Sequence, residues 1–550
     1  MKSECKKIVD SILKNTQYNP INKTGFEYDV TNMFFHPCEL KRGEVELMGI
    51  IDFLERLASQ LWGTPFLVCT IAVGVYYLIA TKAFSFIHLG HIFKNTFGTL
   101  TKKESKEKTA GHVSPWEAVC IAVGGCVGTG NVSGVAAAIA LGGPGALFWI
   151  WAWAFFGMTI KCVEVSLASY YRSRNEDGEY FGGPSYYMEK GLGQDKKWKV
   201  GIVLAWVFGI CFFVQWFIGS QAFAVSEVLK ASLNIPQIPF VLVYSAFLFY
   251  VLNKGVPRLA KTLSSLVPIM CILYVVAGLG LIFINIDALP GVMKAVFTEA
   301  FTGSAAAGGF AGASIQTVMR AGVSRSINSN EAGQGTSPAI HASADTVHPV
   351  RQGLWSTMEV FVDTIVICTI TSLAILCSGT WNSGLTSGTL TVAAFDSAYG
   401  QVGIIFLGIM MALFGFTTTG GAYTYYYTLL NHVLRNCRWR KQIVKIYTWI
   451  YSGPNIIITS LIVLTGSSPA LFWTLTDITI AFPVFTNLLA LFLLRDKYKA
   501  LLKDYKSKYM GIGEIDESFK EFYDTEPCDE VKEYAKRLIQ EAQAQKEAKA

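Results

Sequence analysis

Four glycines fall within the seven residues Gly124-Gly125-Cys126-Val127-Gly128-Thr129-Gly130, and Asn131 follows them. The run sits inside an apolar stretch, Trp116–Leu141. Glycine in a helix interior costs about 1 kcal/mol against alanine, so a helix is expected to open here. A second opening is expected at Gly303 and Gly308-Gly309-Phe310-Ala311-Gly312, inside a weaker apolar stretch, Ala300–Met319. An opened helix offers amide N–H groups at one half-helix start and carbonyls at the other half's end. The first suit a carboxylate and the second suit Na⁺. At membrane depth such backbone survives only where protein or a water-filled cavity satisfies it. Two alternatives compete with a cavity. Small residues also let helices pack closely. Glycine runs also cradle phosphates, but here no Lys-Ser/Thr follows and no strand precedes.

The elements that must hold these openings are membrane spans. Of the 550 residues, 52% are hydrophobic and only 16% charged. Residues 1–63 carry 17 charges and residues 495–550 carry 25, which leaves 44 for the 431 residues between. A middle with one charge in ten has no solvated surface all round, against about a quarter in soluble domains. A soluble enzyme, a disordered chain and a nucleic-acid binder are thereby excluded. The twelve cysteines show no CxxC and sit mostly in apolar runs, as small hydrophobes do.

Eleven apolar stretches approach bilayer length: Thr64–Thr81, Trp116–Leu141, Gly145–Tyr171, Val200–Leu229, Pro239–Leu252, Leu259–Ile286, Ala300–Met319, Leu354–Cys377, Val402–Leu430, Ile443–Leu464 and Ala470–Leu494. With the second as number one of a core, the seventh is number six. Five spans then separate the two openings, as in two inverted halves whose paired interruptions mark a secondary transporter's site. Links 82–114, 172–199, 320–351 and 431–441 are rich in Lys and Arg, while 142–144, 381–401 and 465–469 have none. This alternation predicts an outside N-terminus and a cytoplasmic C-terminus. The expected organisation is a polar extension at 1–47, an amphipathic interfacial helix at 48–63, a transporter domain at 64–494 and a charged tail at 495–550 with a solvated helix from Val531.

Several motifs resemble the alanine or glycine:cation symporter family. They are Gly128-Thr129-Gly130-Asn131-Val132-Ser133-Gly134-Val135-Ala136 with Ala140–Ala146, Gly182-Gly183-Pro184, Asn330-Glu331-Ala332-Gly333-Gln334-Gly335 with His348–Gly353, Glu359–Thr364 and Asn487–Leu491. The resemblance runs from about Met48 to Leu494. It implies an all-α, leucine-transporter-type fold with a five-plus-five inverted repeat and one extra N-terminal transmembrane helix. It also implies Na⁺-coupled uptake of small neutral amino acids such as alanine or glycine, across the plasma membrane, with no catalysis. By a further likeness to the unwound stretch of neurotransmitter:sodium symporters, Gly125, Cys126, Thr129 and Gly130 would face the substrate. Gly124 and Val127 would lend carbonyls to Na⁺, and Asn131 would hold the opened segment or an ion. Gln221, Gly309, Phe310, Thr418 and Ala422 would complete the substrate site, and Thr417 and Thr418 would give hydroxyls to Na⁺. The chain reads Gln221-Ala222-Phe223 where the family often has Gln-Ser-Asn. It reads Thr417-Thr418-Thr419-Gly420-Gly421-Ala422 where the family often has Ser-Thr-Ile-Leu-Gly-Trp. A lost indole at 422 enlarges a pocket, and Phe223 would refill it if it pointed inward.

Charge within a membrane marks function by default. Lys161 and Glu164, at i and i+3, are expected to pair. Glu359 and Asp363 are expected near a solvated cytoplasmic end, and Asp477 beside Thr474 and Thr476 at a helix break. His341, Asp345 and His348 fall in a polar link without metal spacing. The opened stretches as read here contain no carboxylate, which favours Na⁺ over a proton as coupling ion and excludes charged substrates. The alternatives are a proton-coupled carrier of the same fold, a channel and a membrane enzyme. A channel gives no reason for two openings five spans apart, and no hydrolase motif is present.

Overall fold

The computed structural model describes residues 53–547 apart from 55, 59, 101–112, 177, 219–220, 306–309, 311 and 466–468. The chain divides into 1–59 and 60–550. In the first unit the described residues 53–54 and 56–58 are helical. The expected extension at 1–47, residues 48–52, 55 and 59 of the expected interfacial helix, and Gly309 lie outside the described residues.

The second unit is built of helices; among the described residues the one sheet is a pair of two-residue strands, Ser173–Arg174 against Tyr180–Phe181, and two isolated bridges join Val113 with Ala344 and Ser304 with Ala313. In chain order they are α1 (Thr64–Ala80), α2 (Leu89–Asn95), α3 (Pro115–Cys126), α4 (Val135–Gly142), α5 (Gly145–Tyr170), α6 (Lys199–Ile218), α7 (Gln221–Leu233), α8 (Gln237–Leu252), α9 (Val256–Ile284), α10 (Leu289–Thr302) and α11 (Ile315–Asn330). Then follow α12 (Ser337–His341), α13 (Pro349–Val360), α14 (Thr369–Cys377), α15 (Ser387–Tyr399), α16 (Gln401–Val433), α17 (Arg440–Ile450), α18 (Gly453–Thr465), α19 (Pro469–Leu493), α20 (Arg495–Met510) and α21 (Asp529–Glu547). Among the described residues seven helices are long and apolar enough to cross a membrane, and the bent pair α3–α4 makes an eighth. Residues Pro65–Ala80 and Gln237–Leu252 form shorter apolar helices. Along α9, Ile269, Ile272, Val276, Leu279 and Phe283 are exposed at helical spacing. Such a stripe suits lipid and is untenable in water.

The centre is α5, which packs along α13 and α11. Small residues bring the backbones together. A Cβ on Gly353 of α13 would fall 2.8 Å from the Cys162 carbonyl of α5, so only glycine fits there. The start of α3 is set by Pro115 at its first turn and a reciprocal Ser114–Glu117 capping box.

Three expectations need correction. The stretch Gly303–Gly312 does not open a span. Helix α10 ends at Gly303, with φ of +80°, and Ser304 pairs antiparallel with Ala313 before α11 begins at its Ser314 cap. Ser304 Oγ donates to the Gly142 carbonyl at 2.7 Å, and Phe310 packs edge-on against Trp381. The hairpin therefore sits with links 142–144 and 381–401, at one end of the bundle. The link 320–351 is not a plain basic loop either, since Arg320 and Arg325 lie on α11. Finally, the tail is not merely appended. Tyr498, Leu501, Leu502, Tyr505 and Tyr509 of α20 are buried, and Tyr523 N donates to the Tyr170 carbonyl at 3.0 Å. The later helix α21 has no buried residue.

Candidate functional site

The first opening falls where the glycines place it. Helix α3 stops at Cys126, a π-helical turn spans Gly130–Gly134, and the two halves are bent by 47°. Asn131 holds the gap. Its Oδ1 accepts from Gly128 N at 2.8 Å, and its Nδ2 donates to Asp363 Oδ1 at 2.7 Å. With the Gly128 N–H turned to a side chain, the Gly124 carbonyl lacks its helical donor. Thr418 Oγ1 on α16 lies 3.3 Å from that carbonyl and 3.4 Å from the carbonyl of Val127. Gly128 is glycine because a Cβ there would collide with the Thr418 side chain. One helical position earlier, Thr417 Oγ1 donates to the Phe414 carbonyl at 3.0 Å.

The second opening is at Glu331–Thr336, where hydropathy shows nothing. Helix α11 ends at Asn330, Glu331 takes a left-handed φ of +56°, and Gly333 and Gly335 have φ of +88° and +84° before α12 starts at Ser337. Buried charged and polar groups satisfy the freed backbone. Lys161 Nζ donates to the Asn330 carbonyl at 2.5 Å, a cation at a helix C-terminus. Glu164 accepts from Gly333 N at 3.2 Å, and Asn487 Nδ2 donates to the Gly333 carbonyl at 2.8 Å and also to Glu164. So Lys161 and Glu164 do not pair with each other. Lys161 pairs with Glu359 at 3.2 Å, and Glu359 also meets His341 Nε2 at 3.0 Å.

Glu359 and Asp363 are wholly buried rather than solvated. Asp363 joins the two broken helices, because Asn131 from the first and Ser329 Oγ from the second, at 2.9 Å, both donate to it. Asp477 sits in an unbroken α19. It pairs with Arg325 at 3.7 Å and accepts from Asn328 Nδ2 at 3.4 Å. His348 meets Asp504 at 3.2 Å.

Between the openings lies a cavity of ≈ 120 Å³. Gly125, Cys126, Thr129, Gly130, Gln221, Thr418 and Ala422 line it. Thr129 Oγ1 donates to Gln221 Oε1 across it. Phe310 is not in its wall, for the hairpin reason given above, and Phe223 is buried but also not in its wall. Gly124, Val127, Asn131 and Thr417 stand behind the wall. The cavity further exposes Gln215, Arg325, Asn328, Glu331, Gln334 and Tyr425, which sequence reasoning missed. The Glu331 carboxylate accepts from Thr336 at 2.5 Å and from Tyr425 at 3.0 Å. A carboxylate therefore does lie in an opened stretch, and the premise used against protons and charged substrates fails. Its signal was the Asn-Glu-Ala-Gly-Gln-Gly motif itself, a carboxylate beside two glycines one residue apart.

A polar cavity held between two broken helices, in an all-helical fold with many apolar spans, defines a membrane carrier and not an enzyme. The chain belongs to the sodium:alanine symporter family, which it matches over residues 48–519. It is 36% identical over 387 residues to the sodium/alanine symporter AgcS of Methanococcus maripaludis, covering 69% of this chain and 82% of that protein. It is 34% identical to the probable sodium/glutamine symporter GlnT of Bacillus subtilis, covering 84% and 91%. It is 35% identical to the putative sodium/proton-dependent alanine carrier protein YrbD of the same bacterium, covering 84% and 94%. Among solved structures, MhsT in complex with L-phenylalanine superposes with a TM-score of 0.52 at 12% identity, over 80% of this chain and 100% of that one. That likeness concerns the leucine-transporter-type fold.

Proposed function

We propose that the protein couples Na⁺ entry to uptake of a small neutral amino acid by alternating access across the plasma membrane, with the tail on the cytoplasmic side. The observation that carries this is the meeting of the Gly124 and Val127 carbonyls with Thr418 Oγ1, at 3.3 and 3.4 Å, on the edge of the cavity. These are neutral oxygens of the kind a hard monovalent cation takes, and the end of α3 adds the negative pole of its dipole. Thr417, the residue before Thr418 on α16, donates from its Oγ1 to the Phe414 carbonyl at 3.0 Å and is the further hydroxyl assigned to the ion in this reading. The substrate carboxylate is placed at the Gly130 end of the gap, where amide N–H groups start the second half-helix. Thr129, Gln221, Cys126 and Ala422 then face the rest of the molecule.

Replacing Thr417 and Thr418 together by Ala should raise the Na⁺ concentration for half-maximal transport severalfold, because hydroxyl ligands are replaced by nothing. An unchanged Na⁺ response in a folded double mutant would remove the assignment. Glu331 supports a second reading, in which a proton takes part in coupling, since it is the carboxylate that faces the cavity. Uptake driven by a pH gradient without Na⁺, and lost in Glu331→Gln, would favour that reading.

Ala422 sets the size of the wall. Each further buried methylene is worth roughly 0.8 kcal/mol, or about fourfold in affinity. Serine, cysteine or a somewhat larger side chain should therefore compete with labelled alanine as well as alanine does. Ala422→Trp should narrow the profile toward glycine and alanine. Two identical competition profiles would show that position 422 does not limit the side chain.

A further inference from the structure

Where the tail meets the bundle, a cleft of ≈ 620 Å³ opens between α2, the start of α13, the end of α20 and α21. Its charge is one-sided, with Lys94, Arg351 and Lys546 against Glu541. Arg351 is the unusual member. It is only 8% exposed, its guanidinium lies 5.9 Å from the Tyr534 ring, and it has no carboxylate or hydrogen-bond partner among the described residues. Among the described residues the other buried Lys and Arg side chains have ion-pair or hydrogen-bond partners, although Nη2 of Arg172 has none. Lys161 has Glu359, Arg172 has the Ala344 carbonyl, and Lys508 has Asp504 and Glu521. The Arg351 side chain is mostly covered, yet it lines the cleft, so its guanidinium is turned toward the cleft with little solvent around it, and an anion bound there would complete its hydrogen bonds. The local field is already positive enough to act on a neighbour. His91 is pulled down to about 4, by burial first and then by the charges of Arg351, His88 and Lys94. Its neutral ring stays bonded to Tyr505 at 2.9 Å.

We propose that this cleft binds a phosphate-bearing anion, gripped by the Arg351 fork and neutralised by Lys94 and Lys546. A guanidinium presents parallel N–H donors that match two phosphate oxygens. Tyr534 and Lys546 come from α21, which lies beyond residue 519, where the family match ends. The site thus belongs to the tail of this chain as much as to the transporter body. Arg351 stands in the first turn of α13, the helix that carries Glu359. A bound anion ties the tail to that helix at its tail-side end.

The test uses the purified full-length protein and inorganic pyrophosphate, followed by calorimetric titration at constant ionic strength. Binding should saturate. It should weaken about tenfold in Arg351→Gln, as expected for loss of a charge-assisted pair. It should weaken severalfold in Lys546→Gln, an exposed position where folding is not at risk. Failure to saturate, or wild-type affinity in either variant, overturns the site. Two arms identify the source, read as hydrogen-exchange protection of α21. Protection by pyrophosphate in phosphatidylcholine nanodiscs points to a soluble phosphorylated ligand. Protection in nanodiscs containing phosphatidylinositol 4-phosphate, without pyrophosphate, points to a lipid headgroup. Protection in neither overturns the proposal.

Discussion

Gly130→Leu is expected to abolish amino-acid binding while the protein still folds and inserts, and Gly130→Ala is expected to keep it. A Cβ at Gly130 meets its nearest neighbours, the Asn328 carbonyl and Ser329 Cα, at 3.7 Å, which is ordinary contact. Alanine therefore fits. Leucine carries three more carbons into a cavity of ≈ 120 Å³ and onto the amides placed to hold a carboxylate. Overpacking costs about 1–3 kcal/mol even where neighbours can shift, or roughly fivefold to 150-fold in affinity, before the lost hydrogen bonds are counted. Equilibrium binding of labelled alanine to the purified variants checks this. Normal affinity in Gly130→Leu would place the carboxylate elsewhere.

Asp363→Asn should be nearly as damaging, from outside the cavity. Asp363 accepts from Asn131 Nδ2, Ser329 Oγ and Thr364 Oγ1. An amide offers one acceptor oxygen and turns an NH₂ toward at least one of those donors. A buried donor left unsatisfied costs about 1–3 kcal/mol. Because the same carboxylate holds both broken helices, the loss should appear in transport and not only in stability. The expected result is a fall in transport rate of at least tenfold, with the midpoint of thermal unfolding lowered by a few degrees. A variant with lowered thermal stability and an unchanged transport rate would reduce Asp363 to a structural anchor.

The two openings show what hydropathy and composition reveal and what they miss. The first was readable because glycine is costly in an apolar helix, and no other span has so many so close. The second was misplaced. Gly303–Gly312 lies in an apolar stretch of sequence and looks like a broken span, yet α10 ends at Gly303 and Ser304 pairs with Ala313 just before α11 begins. The true break follows Arg320, Arg325 and a run of Ser and Asn on α11, which lower the hydropathy below that of a span. Those residues are tolerated because Arg325 and Asn328 face the cavity and meet Asp477, because Ser326, Ser329 and Asn330 find hydrogen-bond partners on other helices, and because Lys161, Glu164 and Asn487 cap the broken backbone. Partners 154–169 residues away leave no local signal. The same holds for Lys161. Its i+3 neighbour Glu164 is the obvious mate in sequence, but the fold spends Glu164 on Gly333 and gives Lys161 to Glu359. Burial of Asp363 between the two breaks is likewise a tertiary fact.

In the proposed mechanism a Na⁺ held by Gly124, Val127 and Thr418 drives amino-acid entry through the cavity beside it. The most direct test of that mechanism is uptake of labelled alanine into proteoliposomes holding the purified protein, with an inward Na⁺ gradient and with the same gradient of K⁺. Saturable accumulation above equilibrium with Na⁺, absent with K⁺ and shifted to higher Na⁺ in Thr418→Ala, is the predicted result. Equal uptake in Na⁺ and K⁺, or accumulation in wild type and Thr418→Ala at the same Na⁺ concentration, would contradict it.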